Sequence, residues 1–352
     1  MSNLVLGGSK SMADVTLGYD ALARQGVTLV HDAATAIDAE RRIVRLASGA
    51  RLAYDRLVVS PGVELLFNNV RGMSPGAADR APHAWKAGPQ TALLRRQLEA
   101  MPDGGIVLIS VPAAPYRCPP GPYERACQIA AYLKAHKRRA KLIVLDANPK
   151  VVSKEALFTR VWKEDYAGIV EHRPNAAVVE VDIGNSAFLL DFGERLRGDV
   201  LNLIPPMRAG VIAHASGLTA SNESWCPVDW VTLESTRLPR VHVLGDATLS
   251  APGMPKSGHM ANQHGKAAAA AIVDLLAGRA PEPPMMVNTC YSMVDDRQAI
   301  HVASVHRYDA AQKTMLPVPG TGGLSSNDRA RWALEGRYAW NWAQPIWADT
   351  LG

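Results

Sequence analysis

The chain is poor in the residues that build metal or disulfide frameworks. Four cysteines in 352 residues make no disulfide scaffold. No Cys-x-x-Cys occurs, no Cys-x-x-Cys-His, no His-Glu-x-x-His, and the ten histidines lack ligand spacing, so no metal is expected and any haem belongs to a partner. There is no run of 18 apolar residues, so no membrane span is expected. Met1-Ser2-Asn3-Leu4 has neither a basic nor an apolar leader region, so no signal peptide is expected in the chain as it stands. The net charge is only +5, and the basic run Lys134 to Lys141 has no interleaved aromatics; it reads as a solvated helix end, and no nucleic acid is expected. Finally, no Gly-x-Gly-x-x-Gly follows a strand near residue 1, so the first phosphate-binding βαβ unit of a dinucleotide fold is expected to be missing.

What is present is α/β. At 47% hydrophobic residues, the chain is long enough for two or three domains. Residues 12–25 read as an amphipathic helix and 27–30 as a buried strand. Residues 34–54 read as a β-meander, and an apolar strand then ends in Ser60-Pro61-Gly62, where the backbone can pass close to a ligand. A helix at 89–101 leads into a strand at 105–111, a helix at 122–136 and a strand at 141–146, a βαβ pattern that implies a parallel sheet. A helix at 154–167, antiparallel strands at 176–182 and 186–192 and a strand at 199–204 complete that unit. Residues 208–216 read as helical, 241–244 as a buried strand, and 256–276 as a long Ala-rich helix. After a Pro281–Pro284 linker come mixed strands and a Trp-rich end. Trp332, Trp340, Trp342 and Trp347 suit a small-domain core, with a subunit interface as the alternative.

Several positions carry chemistry. Gly245-Asp246 closes a parallel strand, where a carboxylate can bond a flavin's ribityl hydroxyls. Lys256-Ser257-Gly258 opens the long helix, whose free N–H groups and positive dipole end favour an anionic reduced ring. Together with Ser60, Pro61 and Gly62 they point to a flavin. In the second unit the turn after the strand is Val111-Pro-Ala-Ala-Pro-Tyr-Arg-Cys-Pro-Pro-Gly-Pro122, whose prolines lack the N–H donors a pyrophosphate needs, so nicotinamide binding is disfavoured. Cys118 precedes a helix that starts at Pro122 and follows Arg117, which predicts a lowered thiol pKa. Glu124 in the first turn either relays protons or complements the helix dipole. Cys290, in Asn288-Thr-Cys-Tyr-Ser292, alone reads as a small buried hydrophobe; over a flavin with Cys118 it becomes half of a redox pair. Cys127 and Cys226 read as structural.

Taken together, Tyr54-Asp-Arg-Leu-Val-Val-Ser-Pro-Gly62, Pro82-His-Ala-Trp-Lys-Ala-Gly88, Arg117-Cys-Pro-Pro-Gly-Pro-Tyr-Glu-Arg125, Asn202-Leu-Ile-Pro-Pro206, Trp225-Cys-Pro-Val-Asp229, Met254-Pro-Lys-Ser-Gly258 and Asn288-Thr-Cys-Tyr-Ser292 make the chain resemble the flavoprotein subunit of flavocytochrome c sulfide dehydrogenase. The resemblance implies a glutathione-reductase-like fold of two Rossmann units with a small α+β C-terminal domain. It divides the chain into an incomplete FAD domain (1–86 plus 206–280), a degenerate NAD-like domain (87–205) and a cytochrome-interface domain (281–352). It implies catalytic Cys118, Cys290 and Glu124, with sulfide opening a redox disulfide to give a persulfide, and electrons passing through FAD to a c-type cytochrome that carries the haem. It also implies a periplasmic location. The family's export signal, Gly-rich phosphate loop and FAD-attaching cysteine have no counterpart in these residues, which predicts weak or no FAD binding by this chain alone. Alternatives are a sulfide:quinone oxidoreductase-like enzyme, which calls for a basic amphipathic C-terminal helix, and a non-catalytic fragment that keeps cytochrome binding.

Overall fold

A four-stranded parallel sheet forms the middle of the molecule, because three of its strands are largely apolar on both faces and need cover on both. A computed structural model describes all 352 residues. In sheet order the strands are Val200–Leu203, Ile106–Val111, Lys141–Asp146 and Val170–Arg173. Side chains alternate between faces. Val107, Ile109, Leu142 and Val144 pack with Tyr123, Ile129 and Leu133 of the helix Gly121–His136. Leu108, Ile143 and Leu145 face the other way, onto Val181, Phe188 and Leu190 of an antiparallel sheet built from Val178–Asp182, Ala187–Leu190 and Arg195–Arg197.

The flanking region is thinner. Ala34–Asp38, Ile43–Leu46 and Arg51–Ala53 form the expected meander. Leu57–Val59 pairs in parallel with Val241–Val243 alone, and both strands lead to the site below. The helix Gly258–Leu276 is capped by Ser257, whose Oγ accepts the Met260 N–H. At the C-terminal end Met285–Met293 and Ala299–Asp309 make a long hairpin extended by Thr314–Pro317. The Trp-rich end is a helix, Arg329–Leu351, with Trp332 fully buried and Trp340, Trp342 and Trp347 half-buried. No helix is long and apolar enough to cross a membrane.

Three expectations fail locally. Residues 12–25 are not one helix but a turn at Ala13–Val15 and a short helix at Asp20–Arg24. The β-branched Val15-Thr16 and Gly18 interrupt helical propagation. Residues 27–30 form no strand: Val27 and Val30 stay 47% and 48% exposed, and Val27 N–H bonds only to the nearby Leu22 carbonyl. A strand needs a neighbouring backbone, and none runs beside this stretch. Residues 208–216 split into a strand, Met207–Ala209, paired with Val63–Leu65, and a short helix, Val211–Ala215. The helix Asn3–Gly7 and the strands Val170–Arg173 and Arg195–Arg197 carried no clear signal.

Gly210 separates that strand from its helix, and a Cβ there would lie 2.7 Å from the Pro61 carbonyl oxygen. Since backbone cannot yield as a side chain does, Gly210→Ala is expected to cost about 1–3 kcal/mol. Urea unfolding checks this; an unchanged midpoint would show that the Pro61 turn is not held by this contact.

Candidate functional site

The site forms where four distant segments meet. The Cys118 N–H donates to the Lys256 carbonyl at 2.8 Å. Arg117 Nε lies 3.6 Å from Asp246 Oδ2. Ser257 Oγ donates to Asn288 Oδ1 at 2.6 Å, and Thr289 N–H donates to His259 Nδ1 at 2.9 Å. The Cys118 loop, the Gly245–Ala247 turn, the start of the long helix and the Cys290 strand are thus one constellation, although Cys118 and Cys290 are far apart in sequence.

Cys118 has a left-handed backbone, φ 59°, which costs a non-glycine residue on the order of 1 kcal/mol. The thiol lies against Gly121, where any Cβ would sit 2.9 Å from Cys118 Sγ and 2.8 Å from Trp85 Cη2. Gly121 is therefore space for the thiol. The buried Glu124 lies between the two cysteine segments: Oε1 accepts the Met293 N–H at 2.9 Å and Oε2 accepts Asn3 Nδ2 at 3.1 Å.

The expected lowering of the Cys118 pKa is not found. Burial pushes the thiol up to about 12, and the neighbouring Cys290 and Glu124 add to the rise; Arg117 opposes it without prevailing. Desolvation of a thiolate outweighs one partly exposed guanidinium that already faces Asp246. Burial also raises Cys290, with Lys154 pulling the other way. Both are free thiols here. Cys127 and Cys226 are fully buried, and burial raises both.

The residues expected to hold a flavin divide into two groups. Ser60 and Gly258 line an open cleft of about 450 Å³ with Leu244, Ala261, Lys266 and Asp349. Gly245, at φ 67°, lies beside Ser60 and close to Ala261, and a Cβ there would be 3.1 Å from the Ala261 Cβ. Asp246 Oδ1 is buried without a partner, as is Asn288 Nδ2. An unsatisfied carboxylate oxygen, a helix N-terminus at Gly258 and glycines with open space at 62 and 258 fit a ribityl chain and a ring edge. Lys256 and Pro61 instead face the protein. The Lys256 ammonium donates to the Asp246 and Thr248 carbonyls and sits 3.8 Å from the Trp225 ring centroid; burial lowers its pKa to about 8. Pro61 packs on Gly210.

The central sheet offers no comparable cradle. Asp146 ends its second strand, where a dinucleotide-binding unit places the carboxylate that bonds ribose. Here it is fully buried and engaged by Tyr123 Oη, Asn148 and His172. The sequence reading missed Asn3, Trp85, Gly121 and Lys154 as parts of this site. The first lies before any motif, Trp85 and Gly121 stand inside motifs with no role assigned, and Lys154 has no sequence signal at all.

Residues 91–205 match the family model for the central part of the sulfide dehydrogenase [flavocytochrome c] flavoprotein chain. Residues 282–351 match that for the flavin-binding part of flavocytochrome c sulphide dehydrogenase. Together they take in just over half of the chain; the second falls on the segment holding Cys290, which the sequence reading gave to cytochrome docking. The mitochondrial sulfide:quinone oxidoreductase of Dictyostelium discoideum is 25% identical over 259 residues, covering 70% of this chain and 55% of the relative. That of Mus musculus is 24% identical over 270 residues, covering 70% and 56%. The chain thus spans little more than half the length of these curated relatives. The structure of the sulfide:quinone oxidoreductase from Aquifex aeolicus superposes with a TM-score of 0.75 at 15% identity, over 99% of this chain and 82% of that one. Putidaredoxin reductase, in its covalent complex with putidaredoxin, superposes at 0.66 and 20% identity, over 96% and 82%. These likenesses establish that the chain shares the fold of these two oxidoreductase structures.

Burial lifts the Cys118 thiol well above its ordinary range, so little thiolate is present at pH 8. Its alkylation by iodoacetamide, followed by mass spectrometry, is expected to rise about tenfold per pH unit up to about pH 10. A plateau near pH 8 would show the lowered pKa that the sequence suggested.

Proposed function

The chain belongs to the flavocytochrome c sulfide dehydrogenase flavoprotein family, and on that premise we propose that it is a flavin-dependent sulfide oxidoreductase that uses Cys118 and Cys290 as its redox pair. One observation carries the reading: the Cys118 loop and the Cys290 strand are both bonded to the residues that open the Gly258–Leu276 helix, Cys118 N–H to the Lys256 carbonyl and Ser257 Oγ to Asn288, while Arg117 faces Asp246, whose other oxygen is unsatisfied.

In the oxidised pair the two sulfurs share a bond. Sulfide enters as HS⁻, and its sulfur bonds to one cysteine sulfur as the S–S bond breaks. The electrons of that bond leave as a thiolate on the other cysteine, and the proton goes to water or to Glu124. The pair then holds a persulfide and a thiolate. Regenerating the pair requires that a second HS⁻ take the outer sulfur as HSS⁻, leaving two thiolates, and that these give up two electrons as the S–S bond re-forms; a bound FAD would supply that two-electron acceptor. Ser60, Gly62, Gly245, Asp246, Ser257 and Gly258 would hold that group, in the unit made by residues 1–86 and 206–280. Pro61 would shape the turn behind it, and Lys256 would fix the Asp246 backbone from within. Burial of both thiols keeps them protonated when reduced, so the thiolate is formed by bond cleavage rather than by the bulk pH.

Residues 87–205 would serve as scaffold. Residues 281–352 would bring Cys290 to the site and supply a docking face for a c-type cytochrome that carries haem and accepts the electrons; the periplasmic setting rests on the resemblance alone. A quinone as acceptor is the second reading, favoured by the sulfide:quinone oxidoreductase relatives. Against it, the C-terminal helix already uses Trp332, Ala339 and Ala343 as its buried face.

The test is the visible spectrum of the protein with FAD, before and after sulfide under argon. Sulfide is expected to bleach the flavin band, and Cys118→Ser or Cys290→Ser to slow bleaching at least about a hundredfold with flavin still bound. Reoxidation by cytochrome c or by a quinone analogue then assigns the acceptor. Unimpaired bleaching in both variants would remove the cysteines from the mechanism, and a protein that takes up no FAD would leave cytochrome binding as its remaining role.

A further inference from the structure

Lys154 is a buried cation with no carboxylate partner. It is 4% exposed and sits just before the helix Glu155–Glu164, with a left-handed backbone at φ 57°. Its ammonium donates to the Cys290 carbonyl at 2.9 Å and to Ser292 Oγ at 2.8 Å, both neutral acceptors on the Cys290 strand. The Phe158 ring centroid is 5.8 Å away. An ammonium has three donors, so one N–H finds no protein acceptor.

Such an arrangement is costly. A cation taken from water without a counter-ion is strongly disfavoured, and a left-handed lysine adds strain. Arg125, also buried without a carboxylate, shows the contrast. Its donors reach Asn3 Oδ1, Asn202 Oδ1 and the His83 and Ala84 carbonyls, and it rests on the Trp85 ring, a closed set that ties backbone together. Lys154 grips only the strand that carries Cys290 and keeps a donor free beside it.

We propose that Lys154 is a positioning residue that holds the sulfur anion formed on Cys290, as thiolate or as persulfide. The inference rests on the sulfide-oxidising reading above and names the counter-charge that reading needs. Before the S–S bond opens, the ammonium has no anion bonded to it, and Glu124 and Glu335 act on it only through space; after it opens, an anion appears on the residue whose backbone it already holds. The other charged or titratable groups facing Cys290 are Glu124 and Cys118 from the neighbouring helix and its loop, the Met1 amino group, and His259 against Thr289; Glu335 reaches Lys154 from the C-terminal helix. Glu124 and Cys118 oppose a negative Cys290, which leaves Lys154 as the cation bonded directly to its strand.

The experiment reads thiol acidity and not turnover. In the reduced full chain, alkylation of Cys290 and of Cys118 is followed against pH by mass spectrometry, in the native protein and in Lys154→Gln and Lys154→Arg. Cys290 is expected to react at lower pH than Cys118. Lys154→Gln, which keeps a donor but not the charge, is expected to raise the Cys290 midpoint by about one unit, about a tenfold loss of rate at pH 8. Lys154→Arg is expected to restore most of it, with Cys118 moved less throughout. An unchanged Cys290 profile in a folded Lys154→Gln protein would overturn the proposal. If that variant does not fold, a native Cys290 midpoint at or above that of Cys118 overturns it. Sulfide bleaching of the flavin is scored separately, so failure of the redox reading and failure of the Lys154 assignment remain distinguishable.

Discussion

A single buried carboxylate, Glu124, ties together three parts of the chain that are more than a hundred residues apart. Its oxygens take an N–H from Asn3, 121 positions earlier, and from Met293, 169 positions later. The N-terminal helix, the helix after Cys118 and the strand of Cys290 thereby share one anchor. Leaving a buried donor unpaired costs about 1–3 kcal/mol, so breaking either bond carries a cost of that order. Asn3 extends the anchor through Arg125, which reaches the backbone of residues 83 and 84 beside Trp85.

The thiols illustrate a competition between two physical effects. A helix start and an arginine favour a thiolate. Burial favours the thiol, and burial wins because Arg117 is partly exposed and faces Asp246. Under the proposed mechanism this is no obstacle: the anion arises from breaking an S–S bond inside the site, where a fixed charge acts with little screening. A lysine enclosed with neutral partners fits that setting, and the strained backbones at Cys118 and Lys154 are local costs borne by the packing around them.

Glu124 and Asp246 also show why position alone does not assign a carboxylate's part. Both lie near the start of a helix or turn, but both Glu124 oxygens are bonded to protein donors while one Asp246 oxygen is left without any. The first holds the frame together; the second keeps an oxygen open, as the proposed flavin site requires.

The sequence by itself determined the central strands, the helices around them, the prolines that close the nucleotide turn, and both cysteine motifs. These depend on local periodicity and on residues that act within a few positions of themselves. It also pointed to Ser60, Gly245, Asp246 and Gly258 through their places at strand and helix ends. Only the tertiary structure decided the rest. Residues 27–30 have an apolar strand pattern but no neighbouring backbone to pair with. Lys256 points inward to Trp225, a contact no local pattern encodes. The acidity of Cys118 follows from how deeply other segments bury it, and Lys154 meets Cys290 across 136 positions. Desolvation and long-range hydrogen bonds depend on which segments converge, and that is settled by the packing of the whole chain.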